Sequence, residues 1–181
     1  CRGQSAGGRA DVQPGRVGGL QGGPGGHGLD RAAGGYPADV NLFQAYKVVD
    51  SALEIVKRGG VIVLVAECPE GHGNQVFYDW MVKFGDVKAV EREIKRNFVV
   101  GGHKAYYLLK ALQNHTIIFV SSMPDYYATN IFKLKTARAV TDALNEAFKV
   151  CGKNAKVWVM PYGNFTLPEV SAEEQTVQLT S

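Results

Sequence analysis

Short, unbroken apolar runs alternate along this chain with segments of helical periodicity, and this pattern limits the possible folds more than any other feature. The runs lie at 61–66, 117–120 and 157–160. Continuous apolar strands are typical of parallel sheets that are covered on both faces. Strands that alternate with helices favour a mostly parallel sheet with helices on both sides. We therefore predict a doubly wound α/β fold with three layers, helix, sheet and helix.

The clearest helical periodicity lies at 39–58. Its apolar residues follow a four-three-four-three spacing, which places them on one helix face. These residues are Leu42, Tyr46, Val49, Leu53 and Val56. Two glycines at 59 and 60 end the segment. Further helical segments are predicted at 74–84, 87–96, 103–113, 126–131 and 137–150.

Length and composition restrict the class of protein. The 181 residues suffice for one ordinary globular domain. Lys and Arg number 20 against 17 Asp and Glu, and the net charge of +3 is too small to indicate nucleic-acid binding. Cys1, Cys68 and Cys151 are too widely spaced for a disulfide framework or a paired zinc motif. No apolar run approaches the roughly 20 residues that cross a bilayer. We expect a cytoplasmic protein with no nucleic acid and no membrane as partner.

The beginning of the chain differs in composition from the rest. Of 22 glycines in the sequence, 13 lie in residues 1–35, a stretch with four Arg and no Lys. Such a segment buries too little apolar surface to offset the entropy of ordering it, so we expect residues 1–33 to be disordered. A G-x-G-x-x-G match within it lacks the preceding strand and following helix that dinucleotide binding requires.

The predicted domain covers residues 34–170, and a polar, flexible tail follows at 171–181. A doubly wound domain normally enters a turn such as that at Gly34 from a buried apolar strand. Residues 28–33 (GLDRAA) do not resemble such a strand. We therefore hypothesise that residues 1–33 are a translated frameshift or unrelated sequence.

Ligands of doubly wound sheets bind outside the carboxyl ends of the strands, so the loops and helix starts there are the places to search. Asn41, Gln44 and Lys47 follow one another at three-residue spacing near the start of the first helix, which places them on one side of it. One amide with one ammonium can hold a carboxylate or polarise a carbonyl oxygen. The alternative is a solvated helix face.

A second candidate follows the strongest strand, where Gly71 and Gly73 flank His72 at a predicted helix start. Free backbone N–H groups and the helix dipole favour an anion there, and a histidine can donate to it or exchange a proton. The alternative is a tight turn in which the glycines are needed only for the backbone conformation and have no role in binding. Cys68 and His72 lack a second pair of ligands, so we predict no metal ligand.

A third candidate is the run of Gly101, Gly102, His103 and Lys104, where glycines again open a helix. Its backbone amides, imidazole and ammonium form a possible anion pocket. Alternatively, His103 and Lys104 are only exposed residues of a first helical turn. The loop at 161–168 is expected to pack against the sheet edge. No catalytic triad, P-loop or carboxylate pair is evident.

Three motifs resemble the C-terminal domain of the nickel-dependent lactate racemase family. They are GGYPADVNLFQAYK at 34–47, AECPEGHG at 66–73, and MPYG at 160–163 with TLP at 166–168. The resemblance covers about residues 34–170. It implies an isomerase, a racemase or epimerase of 2-hydroxy acids, that uses a nickel-pincer nucleotide as hydride acceptor. It also implies that an N-terminal domain outside this sequence holds the cofactor, and that the chain alone is inactive.

The resemblance assigns roles only at matching positions. Gln44 and Lys47 match the family's glutamine and lysine that face the active-site cleft, so we predict them as catalytic. Phe43 stands in the position of a tyrosine in lactate racemase. The segment from Gly102 to Lys104 departs from the aspartate-glutamine-tryptophan of lactate-specific enzymes, and a cationic His103–Lys104 pair would suit an additional anionic group on the substrate.

The predicted site therefore has two catalytic and three substrate-binding residues. Gln44 and Lys47 are the catalytic pair, and His72, His103 and Lys104 bind the substrate, a small 2-hydroxy acid. Two other functions stay open from the residues alone. One is a different doubly wound enzyme domain that binds a phosphorylated ligand. The other is a non-catalytic module whose Arg/Gly-rich beginning binds nucleic acid, although that segment has no aromatic residue before Tyr36 to stack on bases.

Overall fold

Five parallel strands form one sheet in the order β4-β3-β2-β1-β5. The computed structural model of the chain describes residues 28–32, 34–166 and 168. The strands are β1 (Gly28–Ala32), β2 (Val61–Val65), β3 (Thr116–Val120), β4 (Lys135–Thr136) and β5 (Val157–Met160). The sheet confirms the prediction of a parallel α/β fold.

The helices are α1 (Leu42–Leu53), α2 (Gln75–Lys83), α3 (Val87–Arg96), α4 (Gly102–Asn114) and α5 (Val140–Cys151). Each of these helices overlaps a predicted segment, but the one predicted at 39–58 spans only Leu42–Leu53 and ends before the two glycines that were expected to end it. The predicted segment at 126–131 is a single π-helical turn, Tyr127–Ile131, and a 3₁₀ turn follows β5 at Gly163–Phe165. The helices α1, α2 and α3 begin directly after a side-chain cap, because the oxygens of Asn41, Asn74 and Asp86 each accept a first-turn backbone N–H.

Alternate side chains of the central strands point to opposite faces of the sheet and pack in two separate cores. Ile62, Leu64 and Phe119 belong to the larger core, which α1, α2 and α4 cover. Val63 and Ile118 point to the opposite face and pack with the inner residues of α5. The sheet is therefore covered on both sides, and the three-layer prediction is confirmed. Within the described residues, no helix combines the length and apolarity that crossing a membrane requires.

Two sequence-based expectations are corrected. Gly28–Ala32 form β1, which pairs in parallel with both β2 and β5 although we did not expect a strand there. A strand that is hydrogen-bonded to two neighbouring strands is held through its backbone and does not need an apolar run of side chains. The charged residues of this segment therefore gave no sequence signal of a strand. The rest of the predicted 1–33 segment, and the 171–181 tail, lie outside the described residues.

The second correction concerns β5, which was expected to be buried on both faces. Val157 is 37% exposed and Val159 is 59% exposed. Among the described strands, β5 lies at the edge of the sheet and pairs with β1 alone. Because α5 packs on β1, β2 and β3, it leaves this face of β5 uncovered.

Candidate functional site

The strand order reverses between β1 and β5, so the crevice for a ligand lies at the carboxyl ends of the strands near this point. The loop after β1 leads into α1, which carries Gln44 and Lys47. The loop after β5 contacts the same region, since the Nδ2 of Asn164 donates to the carbonyl of Ala38 at 3.2 Å. The sequence motifs after β1, β2 and β5 therefore meet at one edge of the sheet.

The loop after β2 is hydrogen-bonded to the first turn of α1. The backbone N–H of Leu42 donates to the carbonyl of Gly71 at 2.9 Å, and the N–H of Phe43 donates to the carbonyl of His72 at 3.2 Å. Both groups are first-turn donors that a helix leaves unsatisfied. This start of α1 is therefore closed by protein carbonyls, and the functional groups that it offers a ligand are its side chains.

Asn41 fixes the start of α1 from its own side. Its Oδ1 accepts the backbone N–H of Gln44 at 3.0 Å, and its Nδ2 donates to a carboxylate oxygen of Glu70 at 3.4 Å. Gly73 lies directly against it, because a Cβ at Gly73 would stand 2.1 Å from the Cγ of Asn41. The glycine in this motif thus allows the β2 loop to approach the helix cap closely.

Gln44 and Lys47 both lie on α1, as predicted, and differ in exposure. Gln44 is half-buried and Lys47 is exposed. Among the described residues, no carboxylate lies within ion-pair distance of the Lys47 ammonium. Lys47 therefore offers a positive charge at the surface, and Gln44 offers an amide one helical turn before it.

Lys104 points into the interface between α4 and α1. Its side chain is 10% exposed, and its Nζ lies 3.4 Å from the Oδ2 of Asp50. The ammonium also lies over two aromatic rings, 4.8 Å from the centroid of Tyr46 and 5.9 Å from that of Phe43. Lys104 is thus a buried cation with an ion pair and cation–π contacts to α1.

Burial opposes charge on both members of this ion pair. It lowers the pKa of Lys104 against the effect of Asp50, and it raises the pKa of Asp50 against the effect of Lys104. The charge of Lys47 lowers the pKa of Lys104 further. Burial, followed by the charge of Asp50, raises the pKa of Tyr46 well above its usual value. The cluster is therefore an electrostatically coupled unit of two cations and one carboxylate.

His103 lies beside this cluster in an aromatic setting. Its ring stacks on Phe98 with 5.9 Å between centroids and meets Phe43 and Tyr107 edge-on, each at 6.4 Å. Its Nδ1 accepts the backbone N–H of Gly101 at 3.3 Å.

The charge of His103 differs from the sequence-based expectation of a cation. Burial lowers the pKa of His103, and the positive charge of Lys104 lowers it further. An Nδ1 that accepts an N–H carries no proton, so the hydrogen bond from Gly101 favours the same neutral form. His103 is consequently neutral near pH 7, with its proton on Nε2.

His72 lies apart from this cluster, in a cleft of about 320 Å³ between the loops after β2 and β3. The cleft is lined by Gly71, His72, Gln75, Tyr78, Met123, Pro124 and Tyr127. The His72 ring stacks on Tyr78 at 4.9 Å. Its Nδ1 lies 3.1 Å from the carbonyl oxygen of Asn74 and is the donor in this contact, so Nε2 is the ring nitrogen that would accept a hydrogen bond from a ligand.

The structure thus brings three of the five predicted site residues together. Lys47, His103 and Lys104 surround the interface of α1 and α4, whereas His72 is connected to α1 through its backbone carbonyl. Asp50 was missed by the sequence analysis. The three-residue spacing that selected Asn41, Gln44 and Lys47 would have reached it if continued by one step.

Fold and site together define a doubly wound α/β domain with its candidate ligand site at the carboxyl edge of the sheet. The sequence model of the lactate racemase C-terminal domain matches residues 31–166. The chain belongs to this family.

Relatives of known activity and structure support the assignment. A lactate racemase from Thermoanaerobacterium thermosaccharolyticum is 32% identical over 135 residues, and one from Lactiplantibacillus plantarum is 31% identical over 134 residues. Each alignment covers 72% of this chain and 32% of the relative, so the chain spans about a third of their length. The structure of the Thermoanaerobacterium lactate racemase apoprotein superposes with a TM-score of 0.71 at 27% identity, covering 80% of this chain and 36% of that one.

Proposed function

We propose that this chain is the C-terminal domain of a 2-hydroxyacid racemase or epimerase and that it supplies part of the substrate cleft. The observation that carries the proposal is the placement of Gln44 and Lys47. Both lie on the helix that follows β1, at the carboxyl edge of the sheet, within a motif that resembles the family. The lactate racemases in the comparison indicate a small 2-hydroxy acid as substrate.

Lys47 and Gln44 have different tasks in this proposal. The ammonium of Lys47 binds the substrate carboxylate, or stabilises negative charge that develops on the substrate oxygen. The amide of Gln44 donates a weaker, neutral hydrogen bond to the same substrate. An exposed lysine that has no carboxylate partner among the described residues suits this role, because the substrate then supplies its counter-charge.

The nickel-pincer nucleotide is expected from the family resemblance, and an N-terminal domain is its proposed holder. In the described part of the chain, no three His, Cys, Asp or Glu side chains come together as possible metal ligands. These residues do not themselves fit a nickel ion. When bound, the cofactor supplies the group that takes up and returns the hydride of the substrate α-carbon.

The substrate-binding roles proposed for His72, His103 and Lys104 rest on different surroundings. His72 offers an acceptor nitrogen beside an open cleft, and His103 offers an Nε2 donor beside aromatic rings. Lys104 is turned away from the surface and already paired with Asp50. We therefore propose direct substrate contact for the two histidines and an indirect role for Lys104.

A domain exchange tests the proposal. Residues 28–168, which include β1, would replace the C-terminal domain of the Thermoanaerobacterium lactate racemase, and racemisation would be measured on a panel of 2-hydroxy acids that includes lactate and malate. We expect turnover of at least one of them by the chimera and none by the isolated chain. Failure of the correctly folded, cofactor-loaded chimera on the whole panel would contradict the proposed function.

Lys47→Ala in the chimera tests the site itself. Loss of a charge interaction with the transition state typically costs about 3 kcal/mol, or on the order of a hundredfold in rate. The matched control is Lys88→Ala, which removes an exposed lysine from α3. We expect Gln44→Ala to cost less than Lys47→Ala. Full activity of both α1 variants would show that this face of the helix is only solvated.

A further inference from the structure

Lys47 and Asp50 stand three residues apart on α1, a spacing at which helical side chains of opposite charge pair with each other. They do not pair here. Among the described residues, the ion pairs join Lys95 to Glu91, Lys104 to Asp50 and Lys149 to Glu146. Asp50 is thus paired with a lysine from another helix. Among these same described residues, Lys47 has no carboxylate partner.

Lys104, which pairs with Asp50, is held in place by its packing. Lys104 lies in the first turn of α4, its side chain is buried, and its ammonium lies over the rings of Tyr46 and Phe43. The start of α4 is fixed in turn by Gly102, where a Cβ would stand 2.5 Å from the ring of Trp80. The ammonium of Lys104 therefore reaches Asp50 from a packed helix, whereas Lys47 is exposed and could take several orientations.

We propose that Lys104 is a positioning residue that occupies Asp50 and so keeps the ammonium of Lys47 free to bind the substrate. The substrate part of this inference rests on the proposed function. The pairing part concerns this chain alone and can be tested without activity. It replaces direct substrate contact, which the sequence suggested for Lys104, with an action through Lys47.

The groups that surround Lys47 and Asp50 come from two helices. Tyr46 lies beside them on α1, and His103, Lys104 and Tyr107 face them from α4. Neither histidine nor tyrosine carries a negative charge near neutral pH, so Asp50 is the carboxylate for which the two lysines of this cluster compete. Removal of Lys104 should therefore release Asp50 to Lys47.

Labelling of Lys47 in the 181-residue chain tests the pairing. Acetic anhydride acylates free amines, and peptide mass spectrometry gives the rate at Lys47 relative to the exposed Lys88. In Lys104→Met we expect the Lys47 rate to fall about twofold, which corresponds to a helical ion pair at this spacing. In the double variant Lys104→Met with Asp50→Asn the rate should return to that of the unaltered chain. An unchanged rate in folded Lys104→Met would overturn the proposal.

A second variant covers the case in which Lys104→Met does not fold. Asp50→Asn alone should change the Lys47 rate by well under twofold, because Asp50 is held by Lys104 in the unaltered chain. A rise of twofold or more would show that Asp50 already pairs with Lys47, and the proposal would be wrong.

Kinetics in the chimera then test the consequence for catalysis. Lys104→Met should lower kcat/KM several-fold, and Asp50→Asn added to it should restore most of the loss. A merely structural ion pair predicts no such rescue, since the second substitution removes a further polar group. If the chimera is inactive from the outset, the proposed function fails, and the labelling result still decides the pairing.

Discussion

Gly73→Ala is the substitution for which the structure gives the sharpest expectation. Gly73 has φ +75°, where an alanine costs about 1 kcal/mol. Its Cβ would also stand 2.1 Å from the Cγ of Asn41, so the Asn41 side chain must leave its position as cap of α1. Loss of an N-cap costs about 1 kcal/mol more. Together we expect about 2 kcal/mol of lost stability.

Gly71→Ala is the matched control in the same loop. Gly71 has φ +66°, but nothing lies within 4 Å of the position that its Cβ would occupy. The control therefore loses the free energy that the left-handed backbone costs an alanine, but its Cβ does not collide with another residue. In thermal unfolding we expect Gly73→Ala to have a Tm lower than Gly71→Ala by about 2–4 °C, which corresponds to about 1 kcal/mol in a chain of this size. Equal Tm values for the two variants would refute the argument that Gly73 is required by its contact with Asn41.

Three further predictions concern other parts of the domain. Gly102→Ala should lower the unfolding free energy by about 1–3 kcal/mol because its Cβ meets the ring of Trp80, whereas Gly85→Ala, with open space, should stay within about 0.5 kcal/mol in urea titrations. Burial raises the pKa of Cys68 to about 12, so iodoacetamide at pH 8 should alkylate it more than about tenfold faster in the urea-unfolded chain than in the native one. The pKa of His103 is lowered on folding, mainly by burial, so its contribution to stability is lost as the pH falls from about 6.5. In urea titrations, the unfolding free energy of His103→Gln should therefore fall less over this pH range than that of the unaltered chain. Equal falls in the two proteins would refute the lowered pKa of His103.

The parts of the fold that follow from side-chain pattern were predictable from the sequence. The run at β2 and the spacing along α1 predicted which side chains are buried, and the structure buries all of them except Val65 and Leu53, which are half-buried. The strand β1 was not predictable in this way, because Asp30 and Arg31 give no apolar signal. It exists through backbone pairing with two neighbours that are distant in sequence. The exposure of β5 was missed for a related reason, since edge position depends on strand order.

The candidate site was predictable to a similar degree. Spacing along one helix gave Gln44 and Lys47, because helical geometry converts sequence separation into a common face. The partner of Asp50 lies 54 residues away on another helix, and no local pattern records it. Which charges neutralise each other is a property of tertiary packing, so the sequence supplied the charged residues of the cluster without their pairing.

The run of His103 and Lys104 shows why neighbouring cationic residues are weak evidence for a shared anion site. Successive residues of an α-helix point about 100° apart, so two neighbours reach their surroundings in different directions. In α4, Lys104 reaches Asp50 on α1, whereas His103 contacts the rings of Phe98, Tyr107 and Phe43. The charge of Lys104 also disfavours a proton on His103, so the buried cation keeps its neighbour neutral. His103 and Lys104 thus contribute one neutral donor and one ion pair, between a buried lysine and a partly exposed carboxylate, to the edge of the site.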